Sequence, residues 1–125
     1  MSGASVSGSC HCGAVRFTLA TAPETVTECN CSICRRYGVI WAYYAPDQVQ
    51  FGPASQPVTD TYLWDDRSLA FHRCRLCGCV THWAPEQSRD QNRMGINARL
   101  LDPAVLAAAR LRRLDGAVTE RYIDD

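Results

Sequence analysis

Eight cysteines in 125 residues fall into three tight clusters: Cys10-His11-Cys12-Gly13, Cys29-Asn30-Cys31-Ser32-Ile33-Cys34, and Cys74-Arg75-Leu76-Cys77-Gly78-Cys79. Thiolates two or three positions apart can converge on one ion about 2.3 Å away, whereas two cysteines separated by one residue rarely meet the geometry of a mutual disulfide. Metal binding is the expected chemistry. Gly78 suits a knuckle that folds back sharply and turns backbone N–H groups toward sulfur.

A closed zinc site takes four protein ligands, and a reactive one takes three and keeps a position open. Cys10, Cys12, Cys74 and Cys77 make one four-ligand set. Cys29, Cys31 and Cys34 then remain as three thiolates in six residues, with a fourth position left for water or a substrate. Spacing alone permits Cys29, Cys31, Cys74 and Cys77 as the four-ligand set equally well. Zinc under three thiolates is a weaker Lewis acid than zinc under three histidines, but it strongly stabilises an incoming thiolate, so thiol chemistry is favoured over water activation.

The elements that must position these clusters read as short strands separated by turns. Val15, Phe17 and Leu19 alternate with Arg16 and Thr18, the period of a half-buried strand. Val39 to Tyr44, Gln48 to Phe51, Val58 to Trp64, Leu69 to Arg73, Val80 to Trp83 and Met94 to Leu100 are further strand candidates, rich in β-branched and aromatic residues. Turn chemistry separates them at Ala45-Pro46-Asp47, Gly52-Pro53, Gln56-Pro57, Asp65-Asp66 and Ala84-Pro85-Glu86. Asp102-Pro103 offers an N-cap and a first-turn proline, which predicts a short helix over Ala104 to Arg113, with Arg110, Arg112 and Arg113 complementing its dipole before Gly116. The expected class is a mainly β, small zinc-bound domain of several coiled antiparallel sheets with a short helix near the C-terminus, a single domain over residues 1–125.

With 46% hydrophobic and 21% charged residues the chain is an ordinary globular one. At this length it buries roughly two thirds of the surface exposed by the unfolded chain, so the cysteines must add to a modest core. Thirteen arginines, no lysine and thirteen acids give a formal charge of zero, which argues against a nucleic-acid or membrane-surface binder. Seven metal-bound thiolates and two zinc ions would bring that to about minus three. The first eight residues lack a secretory signal pattern, and no apolar run approaches the roughly 20 residues that span a bilayer. The expected location is cytoplasmic, where clustered cysteines hold metal rather than pair.

Gly8-Ser9-Cys10-His11-Cys12-Gly13-Ala14-Val15-Arg16-Phe17, then Cys29 to Arg36, then Phe71 to Gly78 and Gly95 to Asp102, resemble in order the motifs of the glutathione-dependent formaldehyde-activating enzyme family, which includes centromere protein V. The resemblance runs from about Gly8 to Asp102. It implies Cys10, Cys12, Cys74 and Cys77 as a structural zinc site and Cys29, Cys31 and Cys34 as a catalytic one. The activity it implies is that of a carbon–sulfur lyase: glutathione and formaldehyde join to give S-hydroxymethylglutathione, and the same bond is cleaved in reverse. Its partners would be a small-molecule thiol and an aldehyde. Arg35 and Arg36 are the expected residues for offsetting thiolate charge and pairing with the carboxylates of glutathione.

Cys79 has no counterpart role in that family and reads as a small buried residue. His11, His72 and His82 read as supporting or surface groups, since seven cysteines already supply ligands. Trp41, Tyr43, Tyr44, Trp64 and Trp83 read as core or pocket wall. Two other function classes compete. A non-enzymatic, zinc-stabilised protein-interaction module lacks the basic or proline-rich extension such a binder would need. A thiol redox enzyme resembling methionine-R-sulfoxide reductase would have Cys79 as its nucleophile.

Overall fold

The computed structural model describes residues 5–53, 58–64, 69–85 and 93–123. The proposed turns at Gln56-Pro57 and Asp65-Asp66, and Glu86, lie outside them. Two sheets form. The smaller has the order β1-β2-β5, from β1 (Val6–Ser9), β2 (Arg16–Leu19) and β5 (Val49–Phe51), all antiparallel. The eight-stranded sheet is built from β3 (Thr25–Cys29), β4 (Trp41–Tyr44), β6 (Thr59–Trp64), β7 (Leu69–Cys74), β8 (Val80–Pro85), β9 (Met94–Asn97), β10 (Arg110–Asp115) and β11 (Arg121–Tyr122). Its order is β11-β10-β3-β4-β9-β8-β7-β6. The mainly β class is borne out, with two short α-helices among the described residues, α1 (Ser32–Tyr37) and α2 (Pro103–Ala108). No helix among the described residues is long and apolar enough to cross a membrane.

The alternation in β2 does what its period requires: Phe17 and Leu19 are buried while Arg16 and Thr18 are exposed. They join Val26, Ile40, Ala42, Tyr44, Ile96 and Leu101 in the main core. A second core gathers Cys29, Cys34, Ile33, Val39, Trp41, Phe71 and Trp83, and a third consists of Cys10, Val15 and Cys74. Cys10, Cys29, Cys34 and Cys74 are therefore core residues, while Cys31 and Cys77 are half-buried and Cys12 is exposed. Of the aromatic residues, Trp41, Tyr44 and Trp83 are buried, whereas Trp64, on the edge strand β6, is 37% exposed.

Three expectations change. The helix predicted to reach Arg113 ends at Ala108, and residues from Arg110 onward form β10. Asp102 does cap it, its Oδ1 accepting from Ala104 N–H at 2.8 Å. The arginines leave the helix because β3 offers an open edge: Arg110 to Leu114 pair in parallel with Thr25 to Cys29. A five-residue ladder outweighs the weak intrinsic stability of so short a helix. That parallel pairing is also a departure from an all-antiparallel arrangement. Second, the strand expected over Met94 to Leu100 stops at Asn97, where the side-chain Oδ1 accepts from Arg99 N–H at 3.2 Å and turns the chain into a 3-10 turn. Third, α1 forms inside the second cysteine cluster, where no helix was expected. Cys31 Sγ caps it by accepting from Cys34 N–H at 3.5 Å, and Gly38 ends it in the left-handed region at φ 69°.

Candidate metal centres

The first cluster joins the two sheets. Cys10 and Cys12 lie in the turn between β1 and β2, Cys74 ends β7, and Cys77 lies in the turn between β7 and β8. All four sulfurs lie within 4.8 Å of one another. Cys10 Sγ to Cys12 Sγ is 3.7 Å and Cys12 Sγ to Cys74 Sγ is 3.6 Å. A tetrahedron of thiolates at zinc distance has edges of about 3.8 Å, so the donor set fits that ion. The knuckle at Gly78 is built as expected, with a φ of 84°, and Gly13 has the same φ; Val15 N–H and Leu76 N–H donate to Cys10 Sγ and Cys74 Sγ at 3.3 and 3.4 Å. Close by, His82 is buried, stacked on His72 with ring centroids 4.2 Å apart and set against Phe51 at 4.5 Å. Burial, and secondarily the neighbouring His72, push the His82 imidazole down to about 3.

Sulfurs this close cannot all ionise without a cation. Burial raises the Cys77 thiol, but hydrogen bonds from the Cys79 and Cys12 backbone and from the Cys10 and Cys74 thiols outweigh it and bring Cys77 down to about 5. At Cys12 a hydrogen bond from the Ala14 backbone works downward, yet desolvation and the thiols of Cys74, Cys10 and Cys77 carry it up to about 11. One sulfur keeps the proton its neighbour has lost. A dication removes that conflict, which is the physical reason to read the cluster as a metal centre. Cys79, half-buried against the same small core, stands outside the four-sulfur group.

The second cluster brings together Cys29, at the end of β3, with Cys31 and Cys34 around the start of α1, their sulfurs again within 4.8 Å. The same proton sharing operates. Burial raises the Cys29 and Cys34 thiols above their ordinary value. Burial acts the same way on Cys31, but hydrogen bonds from the Cys34 and Ile33 backbone and from the Cys34 and Cys29 thiols overcome it and hold Cys31 low. Trp41, 1% exposed, donates its indole N–H to Cys34 Sγ at 3.2 Å.

A cavity of about 310 Å³ opens onto Cys29 and Cys34. Its wall includes Glu28, Asn30, Arg35, Arg113 and Ile123. The two neighbouring arginines of α1 diverge because successive residues on a helix point about 100° apart. Arg35 lines this cavity. Arg36 donates to Ser32 O at 2.9 Å and lines a separate groove with Tyr37, Tyr62, Trp64 and Arg73. Sequence reasoning assigned Arg113 to a helix end and missed its place here, in the same cavity wall as Arg35 and paired with Glu28 at 3.5 Å. It also missed Trp41 as a sulfur partner, although a tryptophan seven residues beyond a cysteine carries no local signal.

A solved crystal structure of a Rhodobacter sphaeroides protein is similar, with a TM-score of 0.67 and 28% sequence identity over 84% of this chain and 98% of that one. The family model for the glutathione-dependent formaldehyde-activating enzyme matches residues 5–113, which include both cysteine centres. With ordered cysteine clusters, a shared fold and a match over most of its length, the chain belongs to the glutathione-dependent formaldehyde-activating enzyme family.

Proposed function

We propose that the chain is a zinc-dependent carbon–sulfur lyase that joins glutathione, or a closely similar thiol, to formaldehyde. The observation that carries this reading is the cavity that opens onto Cys29 and Cys34 and is also lined by Arg35 and Arg113. Cys10, Cys12, Cys74 and Cys77 would hold a structural zinc, and Cys29, Cys31 and Cys34 a catalytic one. Zinc held by these three thiolates would supply the charge that keeps an incoming thiol deprotonated at neutral pH.

The chain's own residues do the rest. Arg35 and Arg113 face the cavity as planar, permanently charged groups suited to paired hydrogen bonds with the carboxylates of the tripeptide. Arg36 lines the separate groove, so the carboxylate-pairing role is assigned to the two arginines of this cavity. Leu114, Val39 and Ile123 supply apolar wall, which limits water around the reacting sulfur. In the forward direction the thiol loses its proton, sulfur forms the bond to the carbonyl carbon, and the carbonyl oxygen takes up a proton. The reverse reaction breaks that carbon–sulfur bond. Holding the thiol by its carboxylates makes the attack effectively unimolecular in the bound aldehyde.

Metal analysis with calorimetry tests the reading. Wild type should contain two zinc ions per chain, Cys31→Ser should contain one, and the loaded wild type should bind glutathione and accelerate its addition to formaldehyde. A loaded protein that neither binds glutathione nor changes that rate overturns it.

A further inference from the structure

The turn joining β10 to β11 lies against the three-cysteine cluster. In the parallel ladder Leu114 stands opposite Cys29, and one residue on Asn30 N–H donates to Leu114 O at 3.2 Å. Asn30 then grips the turn with both ends of its amide. Its Nδ2 donates to Asp115 Oδ1 at 3.0 Å, and its Oδ1 accepts from Ala117 N–H at 3.0 Å. The other Asp115 oxygen closes the turn by accepting from Thr119 N–H and Oγ1–H at 3.2 and 3.0 Å. Across the sheet, Tyr122 Oη and Thr27 Oγ1 are hydrogen-bonded at 2.9 Å.

Gly116 sits at the centre of this arrangement. A Cβ there would stand 2.5 Å from Cys29 Sγ and 3.3 Å from Cys31 Cβ. Its φ is outside the left-handed region in which Gly13, Gly38 and Gly78 are found. The requirement for glycine is therefore space beside sulfur, and the backbone at Gly116 uses that space to hydrogen-bond Cys29. The turn also lies beyond residue 113, where the family match ends.

We propose that Asn30, Asp115 and Gly116 form a clamp that positions the Cys29 sulfur, so that the thiolate centre is completed by a C-terminal turn outside the cysteine motifs. The proposal rests on the reading that Cys29, Cys31 and Cys34 hold zinc, and it makes these three positioning residues. Hydrogen-bond partners of metal ligands typically change affinity about 10- to 100-fold when removed. A carboxylate at position 30 would face Asp115 in place of an amide N–H and force the turn away. Exchanging the two side chains restores one donor and one acceptor.

The test compares Asn30→Asp, Asp115→Asn, the double exchange Asn30→Asp/Asp115→Asn, and Gly116→Ala, all as full chains. Zinc affinity is measured at each centre by chelator competition, together with the sulfur-to-cobalt charge-transfer band of the cobalt-loaded protein. Asn30→Asp and Gly116→Ala should weaken the three-cysteine centre by about 10- to 100-fold and leave the four-cysteine centre unchanged. The double exchange should recover most of that loss. In metal-free protein the same two single variants should raise the alkylation rate of Cys29 several-fold. Unchanged affinity and unchanged Cys29 alkylation in Asn30→Asp and Gly116→Ala, or no recovery in the double exchange, overturns the clamp. A wild type that binds one zinc overturns the zinc reading instead, and the alkylation rates then still decide whether the clamp positions Cys29.

Discussion

Replacing Trp41 by phenylalanine separates packing from sulfur chemistry at one buried side chain. Trp41 is 1% exposed, packs on Phe71 with ring centroids 6.0 Å apart, and spends its only polar hydrogen on Cys34 Sγ at 3.2 Å. Full truncation of a buried Trp costs about 3–5 kcal/mol. Phenylalanine keeps most of the ring, so the packing loss is about 1–2 kcal/mol, and it applies equally to metal-free and loaded protein. The hydrogen bond does not. A neutral thiol is a weak acceptor, worth at most about 1 kcal/mol, whereas a donor to a charged group is worth about 1.5–3 kcal/mol. Binding metal converts Cys34 from thiol to thiolate, so the variant loses about 1–2 kcal/mol more in the loaded state than in the metal-free one.

That difference is an affinity loss of about 5- to 30-fold at the three-cysteine centre. Chelator competition reads it directly, with the four-cysteine centre as an internal reference. Burial already raises the Cys34 thiol and Trp41 works against it, so the variant should also need a higher pH to load. If Trp41→Phe lowers the melting temperature but leaves the affinity of the three-cysteine centre within twofold of wild type, the indole N–H serves packing alone and the reasoning fails. Equal losses at both centres would refute it too, by showing a general disturbance.

Three other outcomes are expected. A Cβ on Gly95 would collide with the indole of Trp83, centred on Nε1. Gly95→Ala should therefore cost about 1–3 kcal/mol in urea unfolding, and a neutral result would mean that Trp83 has room to move. His82 has its folded pKa pushed from 6.5 down to about 3, so below pH 6.5 the unfolded chain takes up a proton that the folded one refuses. Its contribution is fully present above that pH and falls by up to about 1.4 kcal/mol per pH unit on acidification toward 3. His82→Gln should flatten the pH dependence of metal-free stability relative to wild type, and parallel slopes would remove His82 as the cause. Asp102→Ala removes the cap of α2 and should cost about 1 kcal/mol. A loss of only a few tenths would show that the proline and packing suffice to start that helix.

Local chemistry was legible before folding. The knuckle glycine Gly78, the Asp102-Pro103 cap and the in-out alternation of β2 all act within a few residues, and all three stand in the structure as their chemistry requires. The failures share a different cause. Arg110 to Asp115 has a composition that suits a helix, but its partner strand begins 85 positions earlier in the pair Arg110 with Thr25. Nothing local reports an unfilled sheet edge. The short α1 escaped because its cap is a cysteine sulfur, an acceptor that ordinary capping patterns do not include.

By itself the amino-acid sequence determined that this is a neutral β-rich chain with thiolates grouped to bind metal, because ligand spacing and strand period are properties of neighbouring residues. It left open which four cysteines meet. Tertiary structure decided that, since Cys12 and Cys74 approach to 3.6 Å across a separation of 62 residues only when the β1–β2 turn of one sheet meets the end of β7 in the other. It also turned Arg35 toward the cysteines and Arg36 away, brought Arg113 to the same cavity, and laid Gly116 beside Cys29. These are contacts between segments distant in the chain. Their geometry depends on how strands pair and on which side chain leaves room for a sulfur atom, and neither is encoded in any short stretch of residues.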